Sequence, residues 1–378
     1  MATYSVASFA SAFPTVYTRL VGTTQRKVPT LRLFSDLKRL QPNLSGDKMR
    51  WTVRFSGQTS GVVNADGGNL LTPAADDRQA AALAYGTYGA PIQVTDDMRR
   101  KAQSSAGVPA QFNTFDMVVG QNAMEAMEAL LKTINQALFS GSGTAPEMTG
   151  MAAAVAATGS YAGIAQSSYS AWASQVSGNS GSLRSLTIAI LKTHLRTVGT
   201  SSPMGRPNLA ICTGALFDTL EALFTPYTMM PFAPGGGAVS PGAERATMNP
   251  ATINLPGGQI QNNGFRVIHW ASAGVYFVED PDCTDTGATN PSNTIFTLNS
   301  DDAEINYPPP ATLQDGVYNI PAQRVTASEQ GGLGPLGDLP LEMMARGRQN
   351  YALNWDITAW AGLKLQARNA HGKIQDVQ

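Results

Sequence analysis

From Asn113 to Phe139 the apolar side chains Phe115, Val118, Val119, Met127, Leu130, Leu131, Ile134 and Leu138 recur at three- and four-residue steps. Asn113 or Thr114 is placed to cap the start, and Gly141 follows the end. The spacing predicts one helix, about 40 Å long at ~1.5 Å per residue. The segment after it, Ser140 to Leu183, carries a single charged residue, Glu147, in a Gly/Ala/Ser-rich run broken by Tyr161, Ile164, Tyr169 and Trp172. A run so poor in charge is packed inside the fold or ordered by partners.

The remaining elements are mixed. Leu183 to Val198 reads as a second helix begun by Ser182 and stopped by Gly199; Asn208 to Cys212 reads as a short buried strand, and Thr213 caps a third helix through Phe224. Thr225 to Gly264 holds six prolines and three consecutive glycines and reads as a long loop, functional or mobile. Strands are expected at Phe265 to Trp270, Val275 to Val278, Thr294 to Leu298 and Glu304 to Tyr307, with long strands from Tyr351 to Ala367 closing the chain. Near the start, Pro14, Pro29 and Pro42 break the periodicity into an extended arm with one short helix at Leu33 to Leu40. Trp51 to Phe55 and Ala81 to Val94, the latter carrying Tyr85 and Tyr88, read as a two-stranded excursion with a Gly/Asn/Thr-rich tip from Ser56 to Pro73. An isolated hairpin is marginal in water, so this one is expected to dock on a neighbour. The class is α+β, and 378 residues exceed what one core usually holds.

Charge narrows the function. Charged residues make up 14% of the chain, against roughly 25% in an average soluble domain. Such a surface is expected to be covered largely by other chains. The net charge of -1 argues against a whole surface built to grip nucleic acid or an anionic membrane. Local charge is polarised. Residues 1–56 hold nine basic and two acidic side chains, a net of +7, whereas Val267 to Gln323 holds eight acids and no Lys or Arg. Opposite charges on one chain suit head-to-tail contact between copies. The residues expected at such interfaces are Arg19, Arg26, Lys27, Arg32 and Arg54, the hairpin tyrosines Tyr85 and Tyr88, and the acids Glu279, Asp280, Asp282, Asp301 and Asp302.

Chemistry is thinly represented. An apolar strand runs into Asp280-Pro281-Asp282-Cys283-Thr284, and DxDxT after a strand resembles the first motif of haloacid-dehalogenase-type phosphotransferases. There Asp280 would accept the phosphoryl group and Asp282 would act as general acid. The later lysine such a site needs is available only as Lys364 or Lys373, in a tail read as strand. Gly332 to Gly337 spells GxGxxG without a preceding strand and with Pro335 and Pro340 against a following helix. Cys212 and Cys283 form no CxxC, and His194, His269 and His371 have no ligand at metal spacing. No catalytic group, metal or cofactor is expected. With no signal peptide and no run of about 18 apolar residues, a soluble protein of the reducing cytoplasm is expected.

The order of parts resembles a tailed-bacteriophage major capsid protein of the Hong Kong 97-like fold. The resemblance rests on the helix end at Asn135 followed by a Gly/Ser turn, the Gly150-Met151 step, Gly163-Ile164 and Trp172. It rests also on Pro207 to Cys212 leading into a helix from Gly214 to Phe224, and on the tail Trp360 to Gly372. It implies an N-terminal arm (1–48), an E-loop (49–98), a P domain with the spine helix and long strands (99–182 and 341–378) and an A domain (183–340). It further implies a structural role in the virion: hexamers and pentamers of this chain, assembled in the host cytoplasm into an icosahedral shell around the genome. The implied partners are other copies, a separate scaffolding protein, a portal, a decoration protein and packaged double-stranded DNA held without sequence preference on the inner face; no membrane is involved. The alternatives are a phosphatase using Asp280 and Asp282, or another phage structural protein such as a tail-tube or decoration subunit.

Overall fold

The computed structural model describes residues 28–42, 48–56, 77–95, 114–202, 205–228, 246–256, 258–261, 266–308, 317–320, 341–349 and 352–378. The first half of the chain holds α1 (Pro29–Asp36), β1 (Leu40–Pro42), β2 (Lys48–Ser56), β3 (Asp77–Ala84), β4 (Gly86–Thr95), α2 (Thr114–Ser140), α3 (Met151–Ala154), β5 (Ser160–Tyr161), β6 (Ile164–Ala165) and β7 (Gln175–Ser177). There follow α4 (Ile188–Ser201), β8 (Leu209–Cys212), α5 (Gly214–Thr228), β9 (Ala246–Met248), β10 (Thr252–Leu255), β11 (Gly258–Gln261), β12 (Val267–Trp270) and β13 (Val275–Glu279). The last strands are β14 (Ile295–Leu298), β15 (Ala303–Tyr307), β16 (Val317–Ile320), β17 (Leu341–Gln349), β18 (Ala352–Leu365) and β19 (Gly372–Ile374). Residues 29–86, 136–309 and 361–378 form one compact unit; the described parts of 87–135 and 310–360 belong to another.

The first unit is built on a seven-stranded sheet of order β7-β19-β14-β8-β13-β12-β9. At its centre β8 runs parallel to β13 and antiparallel to β14. Every residue of β8 is buried, which explains its unbroken apolar sequence: a strand covered on both faces shows no alternation. Ala210 and Cys212 join Leu191 and Leu195 of α4, Phe217, Leu220 and Phe224 of α5, and Trp270 and Phe277 in one core. Phe296 of β14 meets Phe139 of α2, ring centroids 6.1 Å apart. Because β7 and β19 come from 175–177 and 372–374, the expected border between P and A domains passes through a hydrogen-bonded sheet. In the other unit, β17 pairs antiparallel with the first half of β18, with a bulge between Ala345 and Gly347, and β16 pairs with β17.

The structure corrects three readings. The arm's helix starts at Pro29 and ends at Asp36, not Leu33 to Leu40; a proline at the first helical position needs no N–H and comes pre-set in φ, so it starts this helix. After it β1 lies parallel to β15. The second helix starts at Ile188, with Thr187 Oγ1 accepting from Ile190 N at 3.3 Å. Residues before it are extended because Arg184 N and Leu186 N donate to Asp376 O and Gln378 O. Thr213 stands at the N-cap position of α5, its carbonyl accepting from Phe217 N at 2.9 Å while its hydroxyl donates to Ser292 O at 3.0 Å. The expected loop from Thr225 to Gly264 contains β9, β10 and β11, and β9 completes the main sheet beside β12.

The hairpin base docks on its own chain. Phe55 stacks on Tyr169 at 4.2 Å and meets Trp172 edge-on at 5.6 Å. Trp51 Nε1 donates to Gln366 O at 3.3 Å. Met49 is buried against Gly362, where any Cβ would collide with the methionine's Cε. The low-charge run is likewise packed internally: Trp172 Nε1 donates to Tyr161 O, and the buried Arg368 guanidinium donates to the carbonyls of Ala154, Thr158 and Gly159. The hairpin tip at 57–76 and the GxGxxG segment lie outside the described residues.

Candidate functional site

Most of the acidic stretch is inside this subunit. Asp280, Asp282, Asp285, Asp302 and Glu304 are 0%, 5%, 0%, 1% and 8% exposed. Asp280 accepts from the main-chain N–H and hydroxyl of Thr30, at the start of α1, and from Asp282 N. Asp282 accepts from Gln136 Nε2 at 3.2 Å. Asp302 accepts from His371 Nε2 at 2.7 Å and from Ala367 N at 2.8 Å. Asp285 pairs with buried Lys373 at 2.8 Å. Some of these acids are engaged within the same chain: Arg39 of the arm reaches Asp301 at 2.6 Å and Glu304 at 3.9 Å, and Lys364 reaches Glu304 at 3.1 Å.

This removes Asp280, Asp282 and Asp302 from the surface that a second copy can reach in this conformation; Tyr88, in the other unit, is itself buried. Of the other expected residues, Arg32 pairs with Asp36 on its own helix at 3.7 Å. Glu279 lies 3.2 Å from Arg266, which also holds Asp218 and Glu221 at 2.7 Å each. Those acids keep the Arg266 guanidinium firmly charged. Tyr85 is half-buried near Gly362 and Arg54 is exposed on the hairpin. Arg19, Arg26 and Lys27 lie outside the described residues.

The phosphatase geometry fails at its first atom. Asp280 does follow a strand, β13, with a parallel neighbour, but its carboxylate is buried and held by three donors, leaving a phosphate ester no approach. Burial pushes both thiols, Cys212 and Cys283, far above the range in which a thiolate forms. Among the described residues no three His, Cys, Asp or Glu side chains gather as metal ligands, and no helix is long and apolar enough to cross a membrane.

His194 sits on the apolar stripe of α4, with Nε2 2.9 Å from the hydroxyl of Thr297, beside a groove of about 440 Å³ lined also by Arg184 and Thr193. Burial, helped by the Arg184 charge, lowers its pKa to about 4. The unfolded chain, titrating near 6.5, takes up this proton first, so stability falls as pH drops from 6.5 toward 4. Urea unfolding at pH 7.5 and 4.5 should show wild type losing about 2 to 3 kcal/mol more than His194→Gln. Equal losses would refute the assignment.

What the sequence reading passed over is the hairpin's outward face. Lys48, Arg50, Thr52 and Arg54 on β2 stand opposite Ala84, Ala82, Ala80 and Arg78 on β3, all eight exposed. The inward partners include Met49 with Leu83 and Trp51 with Ala81. The signal was there as an alternation of polar and apolar residues from Lys48 to Phe55, three of the four polar ones cationic, divided by the assumed border between arm and loop.

A long helix ending in a glycine turn, a two-stranded ribbon, a mixed sheet flanked by helices and long closing strands define a capsid-shell subunit fold of the Hong Kong 97-like kind. The cyanophage A-1(L) capsid asymmetric unit matches with a TM-score of 0.68 and 18% identity over 96% of this chain and 96% of that one. The encapsulin of Synechococcus elongatus PCC 7942, in its holo complex, matches at 0.52 with 13% identity over 100% and 97%. The capsid subunit of an empty GTA particle matches at 0.51 with 11% identity over 98% and 97%. No protein-family model and no curated protein matches the chain. Likeness at these identities carries the fold.

Proposed function

We propose that this chain is the major capsid protein of a tailed phage: a structural subunit, not a catalyst, whose hexamers and pentamers close an icosahedral head around double-stranded DNA. The single observation behind this reading is the likeness to the cyanophage capsid subunit along 96% of both chains. On this reading the arm, E-loop, P and A divisions at 1–48, 49–98, 99–182 with 341–378, and 183–340 apply. The subunit works in the virion after assembly in the host cytoplasm, with a separate scaffolding protein, a portal and a decoration protein. Contacts between copies fall to the residues this conformation leaves accessible, Arg32, Arg54, Tyr85, Glu279 and Asp301, and to Arg19, Arg26 and Lys27. The purified full chain, concentrated under crowding and viewed by negative-stain microscopy, should give closed shells or rings of five and six. Monomers at every concentration, or open tubes, would overturn the proposal.

Some relatives of this fold lock their shells through covalent Lys–Asn bonds made from the E-loop, and this chain is expected not to. Between Trp51 and Met98 there is no lysine; the basic residues are Arg54 and Arg78, whose guanidinium groups stay protonated and are poor nucleophiles. Particles boiled in denaturing detergent should run as one band near 39.8 kDa. A ladder of multimers would contradict this.

A further inference from the structure

We propose that the groove between β7 and α4 receives the exposed loop 142–147 of a second copy, with the Glu147 carboxylate against Arg184. The proposal rests on the shell reading and names one contact within it. The groove, about 440 Å³, is lined by nine residues, none of them acidic. Arg184 Nη2 donates to Ser177 O at 2.8 Å and to the Ser177 hydroxyl at 3.1 Å, which fixes the guanidinium and leaves Nη1 without a partner among the described residues. Asp376, the acid whose charge Arg184 feels, is already held by Asn179 N, Gly181 N and Asn290 Nδ2. His194, 3% exposed, lines the groove with Nε2 taken by Thr297 and no partner for Nδ1 among the described residues. On β7, Gln175 N donates to His371 O and Ser177 O accepts from Gln375 N, so the alternation of the ladder turns the Val176 N–H and C=O to the open edge. That edge, Gln175-Val176-Ser177, has none of the charges or prolines that guard exposed strands, which marks it as one that a partner covers.

Charge complementarity selects the occupant. Among the described residues of the first unit, Asp36, Asp218, Glu221, Glu279, Asp301 and Glu304 each face an arginine or lysine of their own chain. Asp77 is half-buried and accepts from Tyr169 and Gln79. Glu147 is the exposed acid of this unit left without a cation. Ser142 N and the Ser142 hydroxyl donate to its Oε2 at 3.2 and 2.9 Å, and these bonds keep the carboxyl below its usual range and ionised. The loop is closed on itself by Gly143 N donating to Met148 O and Glu147 N to Thr144 O, so it loses little freedom on docking. Loop and groove are different patches of one surface. Their contact is therefore head-to-tail, the kind that closes rings.

The test uses the full chain with added cysteines, the native Cys212 and Cys283 being buried. Thr193 stands on the groove wall and, like Glu147, is exposed, so substitution at either leaves the fold intact. Glu147→Cys and Thr193→Cys, each put under a mild oxidant in assembly conditions, should run as monomers on non-reducing gels. Their equal mixture should give covalent dimers, because only unlike patches meet. Thr193→Asp should raise the concentration needed for assembly at least about tenfold by setting like charges together, and adding Glu147→Lys should restore it. Dimers from either single cysteine variant would make the contact two-fold and overturn the proposal. So would shells that form while the mixture gives no dimer, or Thr193→Asp assembling like wild type; the groove would then belong to another partner or to none. Cross-linked dimers from a chain that never closes shells or rings would leave this contact standing and remove the shell reading.

Discussion

Replacing Gly150 by alanine is expected to leave the subunit without a stable fold. Gly150 has ordinary extended backbone, φ -82° and ψ 172°, so conformational freedom is not what it supplies. Its role is close approach. A Cβ there would lie 2.5 Å from Gly141 N, 2.7 Å from Ala137 O and 2.8 Å from Phe139 O, all main-chain atoms that cannot swing aside. The turn after α2 folds back beneath the helix end, where Gly150 N donates to Gly141 O at 2.9 Å and Gly141 N to Ala137 O at 3.0 Å. Making room means pulling this turn off the helix and with it Met148 and Met151, both fully buried. Backbone displacement plus lost core contact puts the cost at about 5 kcal/mol or more, comparable to the whole stability of a typical domain. Gly163→Ala is the control. It lies at φ +81° with nothing near its missing Cβ, so only backbone strain of about 1 kcal/mol is expected. Urea unfolding of both variants checks the contrast; equal, mild losses would show that the turn has slack.

Local pattern carried the reading wherever it agreed with tertiary packing. The stripe of α2 and the all-apolar run of β8 were legible because one period, or its absence, reports directly which faces are covered. Gly150-Met151 and Gly163-Ile164 stood out as steps in the chain, and each has its own cause: close approach in one, a positive-φ turn between β5 and β6 in the other. The start of α4 was not legible, because Ser182 and Leu183 look like a cap and a stripe residue while the backbone at Arg184 and Leu186 is claimed by Asp376 and Gln378 nearly two hundred residues later. The loop read from Thr225 to Gly264 failed for the same reason: β9 is a strand only because β12 lies beside it. Charge was the deepest misreading. Sign is visible in a sequence, but whether Asp280 faces a neighbour or its own interior depends on partners as distant as Thr30.

That contact has a large expected effect of its own: Asp280→Ala should destabilise the subunit by about 3 to 4 kcal/mol. Helix α1 begins Pro29-Thr30, and Val28 before it has no side-chain acceptor to serve as the usual cap. Instead Asp280, 250 residues away, accepts from Thr30 N at 3.1 Å and from its hydroxyl, placing a carboxylate at the positive end of the helix. Its other oxygen accepts from Asp282 N at 2.9 Å. Losing a cap costs about 1 to 2 kcal/mol, and each buried donor left without an acceptor costs about 1 to 3 more. Burying the carboxylate carries its own desolvation penalty, and relief of that penalty offsets part of the loss. The balance still favours destabilisation, because three donors converge on one side chain that is 0% exposed. Asp280→Asn, which keeps an acceptor oxygen, should cost about half as much. A double-mutant cycle with Thr30→Ala should give a coupling of about 1 to 2 kcal/mol in urea unfolding. Additive effects, or an alanine variant as stable as wild type, would mean that α1 is held by Leu33 and Phe34 in the core and that the carboxylate is incidental.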